Sequence, residues 1–114
     1  MKINIKKNLD MTPSLQTYID EKLAPLARFI KKFDETGEAE IWLELSRTTR
    51  HHGKGEEVFL AAADLRLPGK ILRAEEHAED VRKAIDMVKD TLRLEIEKYK
   101  TKFVKPKRGA KEGV

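Results

Sequence analysis

The chain contains no cysteine, which excludes disulfides, thiolate chemistry and the common zinc-finger spacings. Its only serines are Ser14 and Ser46, and neither sits in a nucleophile-elbow setting. No glycine-rich phosphate loop occurs. No apolar run approaches the ~20 residues of a membrane span, and the N-terminal MKINIKKNLD lacks a signal-peptide core. The carboxylate pairs Glu56/Glu57 and Glu75/Glu76 fall at element ends, where they cap or solvate. These absences leave no active site to argue from. The expectation is a cytoplasmic protein that is not an enzyme, with no cofactor, no metal, no small-molecule substrate and no membrane partner.

What the chain has is charge. Its 114 residues make one domain with one modest core. Charged residues are 39% of the chain and hydrophobic residues also 39%, so the apolar set must be well patterned to fold. The net charge of +4 and a pI near 9.3 tilt toward anionic partners. Both signs are abundant, so placement matters more than the sum.

Residues 2–8 alternate, with Ile3 and Ile5 on one side, and predict a short strand. Thr12-Pro13-Ser14 predicts a helix start, with Thr12 as N-cap and Pro13 in the first helical position. Leu15, Tyr18, Ile19, Leu23, Leu26, Phe29, Ile30 and Phe33 continue at helical spacing, and Pro25 should kink or divide that helix. A second strand is predicted over 38–47, with Ile41, Leu43 and Leu45 inward and Glu40, Trp42 and Glu44 outward. Residues 48–56 hold two glycines and no apolar side chain, which predicts a mobile loop. A third strand spans 57–67, Pro68-Gly69 makes a tight turn, and a fourth strand spans 71–76. A long helix follows from about residue 79. The order is β-α-β-β-β-α, which predicts an α+β domain of two layers with both helices on one face of a four-stranded sheet. The domain is expected over 1–104, with a flexible basic tail at 105–114.

The last helix carries the most specific pattern. At ~100° per residue, Arg82, Lys89, Arg93 and Lys100 fall within roughly 20° of one line. Val81, Ile85, Val88, Leu92, Ile96, Tyr99 and Phe103 fill the adjoining apolar arc, and Asp86, Asp90 and Glu97 the next strip. From Lys98 to Lys111 there are seven cations and no acid: Lys98, Lys100, Lys102, Lys105, Lys107, Arg108 and Lys111. A solvated helix face would account for abundant lysine, but not for its alignment. A row of cations beside a basic tail suits a phosphate backbone. The candidate contacts are Arg82, Lys89, Arg93, Lys98, Lys100 and Lys102, with Arg50 and Lys54 of the loop as a secondary set. The adjacent His51 and His52 diverge at i and i+1 and lack further ligands, so no metal site is assigned. Trp42, between two glutamates, is expected to be a partly covered structural residue.

Thr12-Pro13-Ser14-Leu15, Arg50-His51-His52-Gly53, Leu67-Pro68-Gly69 before Leu72-Arg73-Ala74-Glu75-Glu76, Ala84-Ile85-Asp86 and Lys98-Tyr99-Lys100-Thr101-Lys102 occur together in one order. In this the chain resembles the bacterial ribosome hibernation promoting factors, also called ribosome-associated inhibitors or sigma-54 modulation proteins, over roughly 1–104. The resemblance implies a βαβββα fold and a stationary-phase or stress protein. It implies binding of ribosomal RNA on the small ribosomal subunit, where messenger RNA and transfer RNA would lie, and steric silencing of translation. Thr91, Leu94, Glu95 and Glu97 depart from the family pattern, which is more basic there. Long members carry a further domain that pairs ribosomes, so the resemblance is to a short member or an N-terminal domain, expected to be monomeric when free. Two rivals stand beside this reading. One is a protein-interaction module that modulates a sigma factor or other partner through the sheet face around Trp42. The other is a general double-stranded RNA binder.

Overall fold

Thr12 starts the first helix as its residue type dictates: its Oγ1 accepts from the Leu15 backbone N–H at 3.1 Å, with Pro13 in the first turn. This helix, α1, covers Pro13–Leu23. Pro25 has no N–H to give and its ring crowds the preceding turn. Accordingly the chain tightens into a 3-10 segment over Ala24–Phe33, which still buries Leu26 and Ile30. The computed structural model describes residues 1–33, 39–49 and 57–104. The predicted mobile loop is therefore mostly outside the described residues, and the predicted tail wholly so.

The strands are β1 (Lys2–Lys7), β2 (Glu40–Thr49), β3 (Glu57–Leu67) and β4 (Lys70–Ala78), in spatial order β1-β2-β3-β4. β1 runs parallel to β2, which the intervening helical crossover permits, and the other two pairs are antiparallel. The Asn8 side chain closes the β1–β2 ladder by accepting from the Arg47 N–H at 3.0 Å. Gly69 has φ +77°, the sign that the third position of a type II turn requires, and it joins β3 to β4 directly after Pro68. β2 begins and ends two residues later than alternation predicts, and β4 is longer than predicted at both ends.

The last helix, α2, covers Val81–Val104. Asp80 caps it: its Oδ1 accepts from the Arg82 N–H and its carbonyl from the Ala84 N–H, both at 3.0 Å. α2 packs over β3 and β4 and against α1 and the 3-10 segment. Ile85, Val88, Leu92 and Ile96 are fully buried there, over Ala61 and Ala63, whose small side chains let the helix approach the sheet. All helices share one layer, and Ile19, Leu23, Ile41, Leu43 and Leu65 complete the core between the layers. Among the described residues no polar or charged side chain is buried.

Candidate nucleic-acid interface

The apolar arc of α2 fixes how the rest of the helix points. With Ile85, Val88 and Leu92 buried, one flank of the helix turns toward α1 and the 3-10 segment, and the other toward β4. Arg82, Lys89, Arg93 and Lys100 share the first flank, as the ~100° step requires. Lys98 and Lys102 stand off that line by roughly 160° and 200°, so they belong to other faces of the helix end. Arg50 and Lys54 lie outside the described residues.

The groove between the two helical elements supplies partners that do not cancel charge. The Arg82 guanidinium carbon lies 5.0 Å from the centroid of the Tyr18 ring, and its Nη2 donates to Ser14 Oγ at 2.9 Å. The Arg93 guanidinium carbon lies 4.5 Å from the centroid of Phe29. Such interactions contribute roughly 0.5–1 kcal/mol each at exposed sites. That is comparable to a surface ion pair, yet the full positive charge remains available. Among the described residues, neither arginine has a carboxylate within ion-pair distance.

Tyr18 is the hub of the groove. Its hydroxyl donates to Asp86 Oδ1 at 2.7 Å, Asp86 also receives Lys22 Nζ at 3.7 Å, and Lys22 lies 5.4 Å from the same ring. The Tyr18 pKa is pushed up to about 12, first because ionisation would break the hydrogen bond to Asp86, then through burial and the charge of Asp86. Asp86 is thus turned into the groove and held there, where helical spacing alone set it on the neighbouring acidic strip.

The remaining cations are less committed. Lys89 pairs with Asp90 at 3.1 Å, but adjacent positions on a helix diverge and the Asp90 side chain is 71% exposed. Lys98 pairs with Glu95 at 3.4 Å on another side of the helix. On the β4 flank, the Thr91 hydroxyl donates to Glu76 Oε2 at 2.7 Å. The departure from the basic family pattern at Thr91 therefore faces away from the cation row, and Leu94 is 62% exposed to solvent.

Sequence reasoning missed Ser14, Tyr18, Lys22, Arg28 and Phe29 as groove residues, taking the two aromatics as core. A signal was present: Tyr18 and Phe29 are eleven residues apart, as are Arg82 and Arg93. Eleven residues return nearly to the same side of α2, so Arg82 and Arg93 face one neighbour together, and the equal separation of Tyr18 and Phe29 hints at that neighbour. On the opposite face of the sheet, Trp42 is 43% exposed; its indole N–H donates to Glu40 at 2.8 Å and Arg66 lies 5.0 Å from its ring. Among the described residues no group of three His, Asp or Glu side chains gathers to hold a metal, and no helix is long and apolar enough to cross a membrane.

Comparison with known proteins identifies a family and a shared fold. The family profile described as "Sigma 54 modulation protein / S30EA ribosomal protein" matches residues 3–104. The ribosome hibernation promotion factor of Deinococcus radiodurans is 33% identical over 99 residues, covering 87% of this chain and 48% of that protein. That of Bacillus subtilis is also 33% identical, over 103 residues, covering 90% of this chain and 50% of the other. The chain thus spans about half the length of these curated relatives. Among solved structures, the Thermus thermophilus Protein Y N-terminal domain superposes with a TM-score of 0.62 at 31% identity, over 86% of this chain and 94% of that one. A ribosomal subunit interface protein from Coxiella burnetii gives a TM-score of 0.64, covering 89% of this chain and 99% of that one; at 20% identity it speaks for the fold alone.

Proposed function

The chain belongs to the sigma 54 modulation protein / S30EA ribosomal protein family, and from that premise we propose that it is a ribosome hibernation factor acting without catalysis in the cytoplasm. Its groove-side cations dock on ribosomal RNA of the small subunit, in the channel for messenger and transfer RNA. Occupying that channel silences translation in stationary phase or stress. The reading has two supports: the name borne by the curated relatives, and the row Arg82, Lys89, Arg93 and Lys100, whose two arginines rest on rings rather than on carboxylates. Phosphate contacts of this kind set position and affinity, while the shape of the RNA sets specificity. Lys98, Lys102, Arg50 and Lys54 serve as outlying partners of the same polyanion.

The test is cosedimentation with purified small subunits. Changing Arg82, Lys89, Arg93 and Lys100 together to Glu should abolish binding in moderate salt, and unchanged binding removes the helix from the mechanism. For every phosphate that goes unneutralised, the log–log salt dependence should flatten by roughly one.

The rival reading has its own observation, the exposed Trp42 on the open sheet face. A protein partner bound there, a sigma factor among them, requires binding that barely responds to salt and is lost in Trp42→Ala. Equal affinity for free duplex RNA and for ribosomes would favour a general double-stranded RNA binder.

A further inference from the structure

We infer that Arg93, carried on the Phe29 ring, is a stacking platform for one unpaired RNA base. The inference rests on the ribosome-binding reading and gives one position of the row a ligand more specific than phosphate. The Phe29 ring is partly buried at the margin of the core, so its position is set by packing. The Arg93 guanidinium lies over that ring at 4.5 Å, and the Arg28 guanidinium lies over it too, at 5.8 Å. Three planar groups, two from the 3-10 segment and one from α2, therefore meet at one point of the groove.

Arg93 is exposed while its guanidinium lies over the ring, so part of the group remains accessible to a ligand. Among the described residues its N–H groups meet no hydrogen-bond or carboxylate partner. Arg82 differs: it donates to Ser14 Oγ, and the ring beneath it is committed to Asp86. A phosphate needs only charge and N–H donors, which a lysine would supply as a point charge. A guanidinium held over a ring adds a flat surface. Unpaired bases stack on arginine planes as they do on aromatic rings, whereas paired bases in an A-form helix are already stacked on each other. The site therefore selects a nucleotide in a loop, bulge or single strand.

The experiment compares wild type, R93K and R93A for binding to purified small subunits across a salt series. R93K keeps the charge and gives up the plane, and since Arg93 is exposed the fold is retained. Stacking predicts that R93K loses roughly five-fold or more in affinity, close to the loss in R93A. It predicts that R93K keeps the wild-type salt slope. A second arm measures poly(A) against the poly(A)·poly(U) duplex, where wild type should prefer the unpaired polymer and R93K should not. R93K matching wild type in both arms overturns the inference alone. Wild type that binds neither small subunits nor RNA overturns it together with the ribosome-binding reading.

Discussion

The Tyr18 hydroxyl donates a 2.7 Å hydrogen bond to Asp86, sixty-eight residues further along the chain, and so ties α1 to α2. The bond orients the ring on which Arg82 lies and occupies an acid that would otherwise face the cation row. Lys22 shares Asp86 at a longer 3.7 Å, so the tyrosine is the closer partner.

Tyr18→Phe separates these roles. It removes the hydroxyl and keeps the ring, so urea unfolding should show a loss of about 1 kcal/mol, while affinity for small subunits should fall less than in Tyr18→Ala. Tyr18→Ala removes the support of Arg82 as well, and both quantities should fall. Equal stability of Tyr18→Phe and wild type would mean that the bond contributes nothing.

The same bond predicts a titration. Tyrosine ordinarily ionises near 10, and in the folded chain Tyr18 is raised to about 12. Because the folded value is the higher one, its contribution to stability is complete below about pH 10 and is lost as the pH rises toward 12. Tyrosinate absorbance should show an alkaline phase near 12 that Tyr18→Phe removes. A wild-type titration finished well below that pH contradicts the geometry.

Leu92 is fully buried between α2 and the sheet. Leu92→Ala should cost about 2–5 kcal/mol through lost transfer energy and the cavity left behind. A domain of this size has only about 5–15 kcal/mol in total, so the midpoint of urea unfolding should shift markedly.

Thr91→Lys tests the orientation of α2. The new ammonium would lie on the β4 flank beside Glu76, which now receives the Thr91 hydroxyl. It should pair there and leave both affinity for small subunits and the salt slope unchanged. A slope steeper by roughly one would place position 91 against phosphate.

Much of the fold was legible because the deciding signals are local. Alternation at Ile41, Leu43 and Leu45 marks a strand with one buried face, Thr12-Pro13 marks a helix start, and Pro25 marks where α-helical bonding stops. The alignment of Arg82, Lys89, Arg93 and Lys100 followed from helical geometry alone. Their surroundings did not. Tyr18 and Phe29 fit the apolar spacing of the first helix, and only tertiary packing brings them to the edge of the core beneath arginines sixty-four residues away. Asp86 likewise looked like part of a solvated acidic strip, because helical periodicity does not reveal a partner on another element. Lys98 and Lys102 joined the candidate set through the acid-free terminus and the family resemblance, and their angles on the helix place them off the line of the row.

Two hydrogen bonds hold α2 on opposite flanks: its Thr91 hydroxyl donates to Glu76 of β4, and its Asp86 accepts from the Tyr18 hydroxyl of α1. These bonds add to the buried apolar face in favouring one orientation of the helix on the sheet. Immobilising a long side chain at encounter costs about 0.5–1.5 kcal/mol, and for Arg82 and Arg93 much of that ordering is complete once the chain has folded. Two of the four cations in the row therefore hold their spacing before any partner arrives.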